Sequence, residues 1–151
     1  MIVLDDLLAG ISRLGFDTAP LIYFVERHAV YLPVMQDIIR RIDAGDIQGY
    51  GSVIILTEVL VLPKRNGALL LEKEYCDLLK NSRNFELVPI DEETAERASE
   101  LRSSYNLRTP DALQIAAALS ADCEAFLTND KKLKQVKEIK VIVLDDCLLQ
   151  T

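Results

Sequence analysis

Phe16-Asp17-Thr18-Ala19-Pro20-Leu21-Ile22-Tyr23-Phe24-Val25-Glu26 is the stretch on which the reading of the fold turns. The apolar run Leu14-Gly15-Phe16 ends at an aspartate. Thr18-Ala19-Pro20 then marks a helix start, because proline lacks only an N–H that the first helical turn leaves unpaired. A short β-like run followed at once by a longer helical one is the unit of a parallel sheet with crossover helices.

The same alternation continues outward. A second helix is expected over residues 33–44, stopped by Gly45. Tyr50-Gly51-Ser52 reads as a strand end, with Ser52 capping a helix that carries Thr57 and Glu58 and closes at Pro63. Residues 69–81 show helical spacing at Leu70, Leu71, Tyr75, Leu78 and Leu79. Residues 85–89 read as a strand, and Asp91 opens a charged amphipathic helix reaching about Tyr105. Thr109-Pro110-Asp111 combines a capping hydroxyl, a proline and a first-turn acid, and the run behind it, 112–119, is apolar almost all round and suits burial. Residues 125–128 form a buried strand that Asn129-Asp130 leaves; 131–136 make a short helix and 141–144 the last strand. Ile2-Val3-Leu4-Asp5-Asp6 recurs as Ile142-Val143-Leu144-Asp145-Asp146, which reads as a coincidence between strand-like ends rather than a repeat.

A chain of 151 residues, half of them apolar, suffices for one domain and its core. Its apolar runs fall short of the roughly 18 residues a membrane span needs. The N-terminus meets carboxylates at once, unlike a signal peptide. Three scattered cysteines, Cys76, Cys123 and Cys147, and the single His28 argue against a zinc site and for free thiols in a reducing cytoplasm. A net charge of −7 argues against a broad basic nucleic-acid face. Local action on nucleic acid remains open, because carboxylates that bind divalent cations deepen the formal charge.

With 24 acids in the chain, position must select among them. Ligands of open parallel sheets bind beyond the carboxyl ends of the strands, near the switch in strand order. Asp17 and Asp130 each follow a strand. Asp111 lies in the first turn of a buried helix, whose free amides and dipole favour its ionised form. Glu58 sits among Leu56, Val59 and Leu60, where a carboxylate needs a metal or a hydrogen-bonded network to offset desolvation. Each acid also has an ordinary use: Asp17 and Asp130 as caps or turn residues, Asp111 as a first-turn acid, Glu58 on a solvated face.

The four positions coincide with a family resemblance. "FDTAPLIYFVE" resembles the opening of PIN domains, "SVIILTEVL" their second block, "LRTPDALQIAAAL" the third and "FLTNDKKL" the fourth, in the family's order. The likeness is closest to single-domain VapC-like toxins of toxin–antitoxin pairs. It implies a three-layer α/β/α fold with a short, mostly parallel sheet, occupying 1–151 as a single PIN domain with residues 1–12 as an extension before the first core strand. It also implies a cytoplasmic endoribonuclease that uses Mg2+ or Mn2+, with an antitoxin partner.

RNA hydrolysis needs an activated nucleophile and stabilised charge on the phosphate, and hard divalent cations on carboxylates serve both needs. Asp17, Asp111 and Asp130 are the expected metal ligands, with Glu58 as ligand or outlying base. Thr128 and Asn129 are candidates for contacts to metal waters or phosphate, and Arg108, Lys131, Lys132, Lys64 and Arg65 for phosphate; turn positions and a solvated charged face are their ordinary uses. His28 is assigned to the surface or a helix end. Leu69, Leu70 and Leu71 suit core packing, with a homodimer or partner groove as the alternative. Two rival readings stand beside the ribonuclease. A PIN fold that has lost catalysis would serve as an RNA- or protein-binding module. A receiver-like signalling domain is suggested by "MIVLDD", although no phospho-accepting aspartate or later lysine falls in a convincing place.

Overall fold

The computed structural model describes residues 2–148. Five strands, β1 (Arg13–Phe16), β2 (Gln48–Ser52), β3 (Phe85–Val88), β4 (Ala125–Thr128) and β5 (Lys140–Val143), pair in parallel in the order β3-β2-β1-β4-β5. Helix α1 (Ile2–Leu8) precedes β1. Helices α2 (Thr18–Val25) and α3 (Leu32–Asp43) connect β1 to β2, α4 (Ile54–Arg65) and α5 (Leu69–Asn81) lead to β3, and α6 (Glu92–Tyr105) and α7 (Thr109–Ser120) lead to β4. A 3-10 turn, Lys131–Gln135, joins β4 to β5, and α8 (Leu144–Cys147) follows.

The period of two along each strand divides the interior between two faces. Leu14, Phe16, Ala125, Leu127 and Ile142 pack with α1, α2, α3 and α5, whereas Tyr50, Val88 and Phe126 pack with α6 and α7. The result is a three-layer α/β/α architecture around a parallel sheet: the sheet is the one the alternating pattern predicts, and the layering is the one the family resemblance implies. Gly15 permits its closest approach: a Cβ there would lie 2.6 Å from the Cβ of Ala118, so α7 seats directly on β1.

The chain runs outward from β1 through β2 to β3, then crosses back to lay β4 on the other side of β1. The carboxyl ends of β1 and β4 therefore flank the switch in strand order, where open parallel sheets hold their ligands. Phe16 pairs with Leu127, and the Asp17 N–H donates to the Leu127 carbonyl at 2.9 Å. That bond carries the ladder one residue past β1 and sets Asp17 beside the end of β4.

Several local expectations are corrected. The strand-like start is α1, which buries Leu4 and Leu8 one helical turn apart. Its echo is split between β5 and α8, so the two copies differ at Ile-Val and agree only over Leu-Asp-Asp, which is helical in both; α1 and α8 pack together. Leu144 begins α8 instead of ending the last strand. Ser52 ends β2; its Oγ accepts from the Ile54 N–H at 3.1 Å, while Val53 holds the cap position without a side-chain bond. Pro63 lies inside α4, which runs on to Arg65. The α7 cap is Arg108, again without a side-chain bond, and Thr109 is already helical.

Leu69 and Leu70 leave 75% and 80% of their surface exposed, so core packing holds for Leu71 alone of the three. His28 lies half-buried in the turn after α2. Its Nδ1 accepts from the Val30 and Tyr31 N–H groups at 3.1 and 3.3 Å, and its ring packs on Tyr23 and Tyr31. Cys76, Cys123 and Cys147 are free; burial pushes the Cys123 thiol up to about 12 and the Cys147 thiol up to about 11, which leaves both as protonated, unreactive thiols. Among the described residues no helix is long and apolar enough to cross a membrane.

Candidate active site

Asp17 is both a helix cap and a member of an acidic cleft. Its Oδ1 accepts from the Thr18 N–H at 2.8 Å, and its Oδ2 from the Thr128 hydroxyl at 2.7 Å. Burial pushes its carboxyl above the ordinary range and outweighs both hydrogen bonds; the charges of Asp111 and Glu58 push the same way. Its ordinary use and its place in the cleft therefore coexist. The same holds for Asp130, whose Oδ1 caps the 3-10 turn through the Lys132 N–H at 3.0 Å.

Asp111 is buried in the first turn of α7, where the helix N-terminus favours a carboxylate. Arg108 reaches back across that turn, its Nε 3.1 Å from Asp111 Oδ2 and its Nη2 3.4 Å from Oδ1. The Asp111 carboxylate holds the guanidinium above its ordinary value, with Asp130 and Asp17 adding to the effect. Because the Arg108 side chain is 78% exposed, water screens this pair and lets the guanidinium turn outward.

Glu58 is solvent-exposed, so the desolvation expected from its apolar neighbours does not arise. The hydrogen-bonded network does. Glu58 Oε1 accepts from the Thr18 hydroxyl and, at 2.8 Å, from Gln114 Nε2, which also donates to Thr18 Oγ1 at 2.9 Å. Gln114 is the residue that sequence reasoning passed over. It stands three places after Asp111, on the same face of α7. A single uncharged polar side chain in a buried apolar run was the signal available, since such a group needs a partner.

Asp17, Thr18, Glu58, Arg108, Asp111, Asn129 and Asp130 line one cleft of about 380 Å3, together with Ala19, Ile22 and Tyr23. Thr128 lies beneath it, fully buried, donating to Asp17 and accepting from the Asp130 N–H at 3.0 Å. Its hydroxyl proton is used on Asp17 and the hydroxyl oxygen accepts from Asp130, so Thr128 stands behind the acids and outside the cleft lining. Asn129 Nδ2 donates to the Tyr23 hydroxyl at 3.4 Å. Lys131, Lys132, Lys64 and Arg65 lie outside the lining, and Lys64 is paired with Glu72 at 2.5 Å. A second groove of about 360 Å3, walled by Leu21, Phe24, Ile39, Leu78 and Phe85, is more apolar and holds none of the four acids.

Among the described residues, no group of three or more acidic, histidine or cysteine side chains is arranged to hold a metal by itself. The donor chemistry nevertheless fits a hard divalent cation. All four candidate ligands are carboxylates; burial is the main cause that raises Asp17, and the lesser push from the Asp111 and Glu58 charges is a repulsion that a cation would relieve. Mg2+ keeps several waters and needs only one or two carboxylates, so a complete protein cage is not required.

The PIN-domain family model matches residues 16–139. The chain belongs to the PIN-domain family. PIN domains are generally nucleases, which agrees with an acidic cleft at the strand switch. Among solved structures, this PIN domain resembles a chain of a toxin–antitoxin complex from Klebsiella pneumoniae at 26% identity and a TM-score of 0.66, over 88% of this chain and 98% of that one. It shares its fold with a chain of VapBC2 from Rickettsia felis bound to a promoter DNA fragment (14% identity, TM-score 0.71, 87% and 98% covered). It also shares it with a chain of DNA-bound VapBC from Salmonella typhimurium (14%, 0.59, 89% and 98%). No curated protein sequence matches the chain.

Proposed function

We propose that this PIN domain is a divalent-metal-dependent endoribonuclease and the toxin of a toxin–antitoxin pair. One observation carries the reading: Asp17, Glu58, Asp111 and Asp130, from four separate chain segments, line a single cleft at the carboxyl ends of β1 and β4. The solved complexes that resemble the chain support a protein partner of the antitoxin kind.

In this reading Asp17, Asp111 and Asp130 would hold Mg2+ or Mn2+, which when bound would supply positive charge against the scissile phosphate and acidify a water molecule. Glu58, fixed through Oε1, would offer its other oxygen to take up the proton of the attacking water. Arg108 turns from Asp111 to the phosphate, and its planar fork suits two phosphate oxygens. Thr18 and Thr128 keep the acids in place.

The test is cleavage of a mixed RNA pool under Mn2+ by wild type and Asp17→Asn in parallel. Cleavage by the wild type alone is expected. RNA left intact by both would favour the PIN-fold binding module instead.

A further inference from the structure

Gln114 is 2% exposed and lies within the apolar body of α7. Both hydrogens of its Nε2 are used, at 2.8 Å on Glu58 Oε1 and at 2.9 Å on Thr18 Oγ1. Its own Oε1 is buried and accepts no hydrogen bond from any described residue. The Thr18 hydroxyl also gives its proton to Glu58 Oε1. Gln114 and Thr18 thus each donate to the same oxygen of one exposed carboxylate, and the remaining Gln114 hydrogen holds the Thr18 hydroxyl in place for its own donation; among the described residues Glu58 Oε2 accepts no hydrogen bond.

For the fold alone the amide is a poor choice. A buried acceptor without a protein donor loses its hydration with no return, and an apolar side chain of similar volume would fill the same space without that loss. A local rule broken in the interior, with its only benefit delivered to a site acid, is the mark of a functional constraint. The amide orientation follows from the same contacts: turned over, Gln114 would set its oxygen against the Glu58 carboxylate.

We infer that Gln114 is a positioning residue, whose amide, together with Thr18, fixes Glu58 through Oε1 and leaves Oε2 free for a divalent cation or its water. This rests on the metal-dependent reading of the cleft. An untethered glutamate on an exposed helix face samples several rotamers, and fixing it in advance removes that ordering cost from cation binding.

The test is a double-mutant cycle on the full chain, with Mn2+ as the probe and affinity read by electron paramagnetic resonance. Gln114→Leu is expected to keep or raise Tm while weakening Mn2+ binding about 10- to 100-fold, as loss of a ligand-orienting partner typically does. In a Glu58→Ala background the same change is expected to have no further effect on Mn2+ affinity, because Gln114 acts through Glu58. Equal weakening in both backgrounds, or no weakening in either, would overturn the inference, as would a lowered Tm with unchanged affinity. A wild type that binds Mn2+ but leaves RNA intact would sink the ribonuclease reading and leave the cycle to decide on Gln114. A wild type that takes up no Mn2+ would overturn both.

Discussion

The Thr128 hydroxyl donates to Asp17 Oδ2 at 2.7 Å from a position with no solvent exposure, and it accepts from the Asp130 N–H at 3.0 Å. One buried side chain thus ties together two acids from different strands. Thr128→Val removes both bonds at nearly constant shape. It leaves a buried carboxylate oxygen and a backbone N–H without their partners, at a cost of about 1–3 kcal/mol. Thermal unfolding should show a lower Tm, and RNA cleavage should fall about 10- to 100-fold as Asp17 loses its orientation. Thr128→Ser restores the hydroxyl and should recover most of both. A valine variant with full activity would show that Asp17 holds its place without Thr128.

Asp17 gives a pH signature. Burial, aided by the Asp111 and Glu58 charges, raises its carboxyl above the ordinary 3.8, so the folded chain holds this proton more tightly than the unfolded one. The associated stability is complete below the unfolded value and is lost as pH rises through the folded value. Asp17→Asn lacks that loss. In chelator, the variant should match the wild type near pH 4 and exceed it in Tm at pH 7. Added Mn2+ should raise the wild-type Tm and leave the variant unmoved. A difference in Tm that stays flat across pH would contradict the origin assigned to the shift.

Much of the candidate site is legible in the sequence because the acids that line the cleft sit at punctuation. Asp17 and Asp130 end strands and Asp111 opens a helix, and such positions follow from local patterns of apolar runs, prolines and caps. The parallel sheet follows likewise from strands alternating with helices. What fails are features set by contacts distant in sequence. Ile2-Val3-Leu4 reads as β by composition but folds as a helix, because Leu4 and Leu8 meet a core cluster shared with α8. Leu70 fits the helical spacing yet faces solvent, as does Leu69 beside it, since spacing reports a stripe and not what covers it. The link between Gln114 and Glu58 spans 56 residues and is invisible to any local window.

Arg108 is expected to separate stability from chemistry. Its pair with Asp111 is solvent-screened, so Arg108→Ala should change unfolding free energy by less than about 1 kcal/mol. The same change removes a positive charge that competes at Asp111, and Mn2+ affinity should hold or rise. RNA cleavage should fall roughly tenfold or more if the guanidinium meets phosphate, since a charge-assisted contact is worth more than about 1 kcal/mol. Arg108→Lys keeps the charge and loses the fork, and should recover only part of the rate. Cleavage at the wild-type rate by Arg108→Ala would remove this residue from the substrate contacts.

Gly15 couples the core to the site through one contact. A methyl there would stand 2.6 Å from Ala118 Cβ, closer than packed carbons approach, so Gly15→Ala must push α7 away from β1. The overpacking should cost about 1–3 kcal/mol in unfolding free energy. The consequence for activity is larger than that figure suggests. Asp17 leaves the end of β1, whereas Asp111 and Gln114 ride on α7, so a displaced helix parts the acids from one another. Misplacement of about 1 Å can cost on the order of 100-fold in rate. Ala118→Gly alone should cost about 1 kcal/mol from helix propensity. In the Gly15→Ala, Ala118→Gly double variant the clashing methyl is gone, and both Tm and cleavage should recover beyond the sum of the single effects. Recovery of Tm without recovery of cleavage would mean that the spacing of α7 from β1 is set for packing and that the acids are aligned by other contacts.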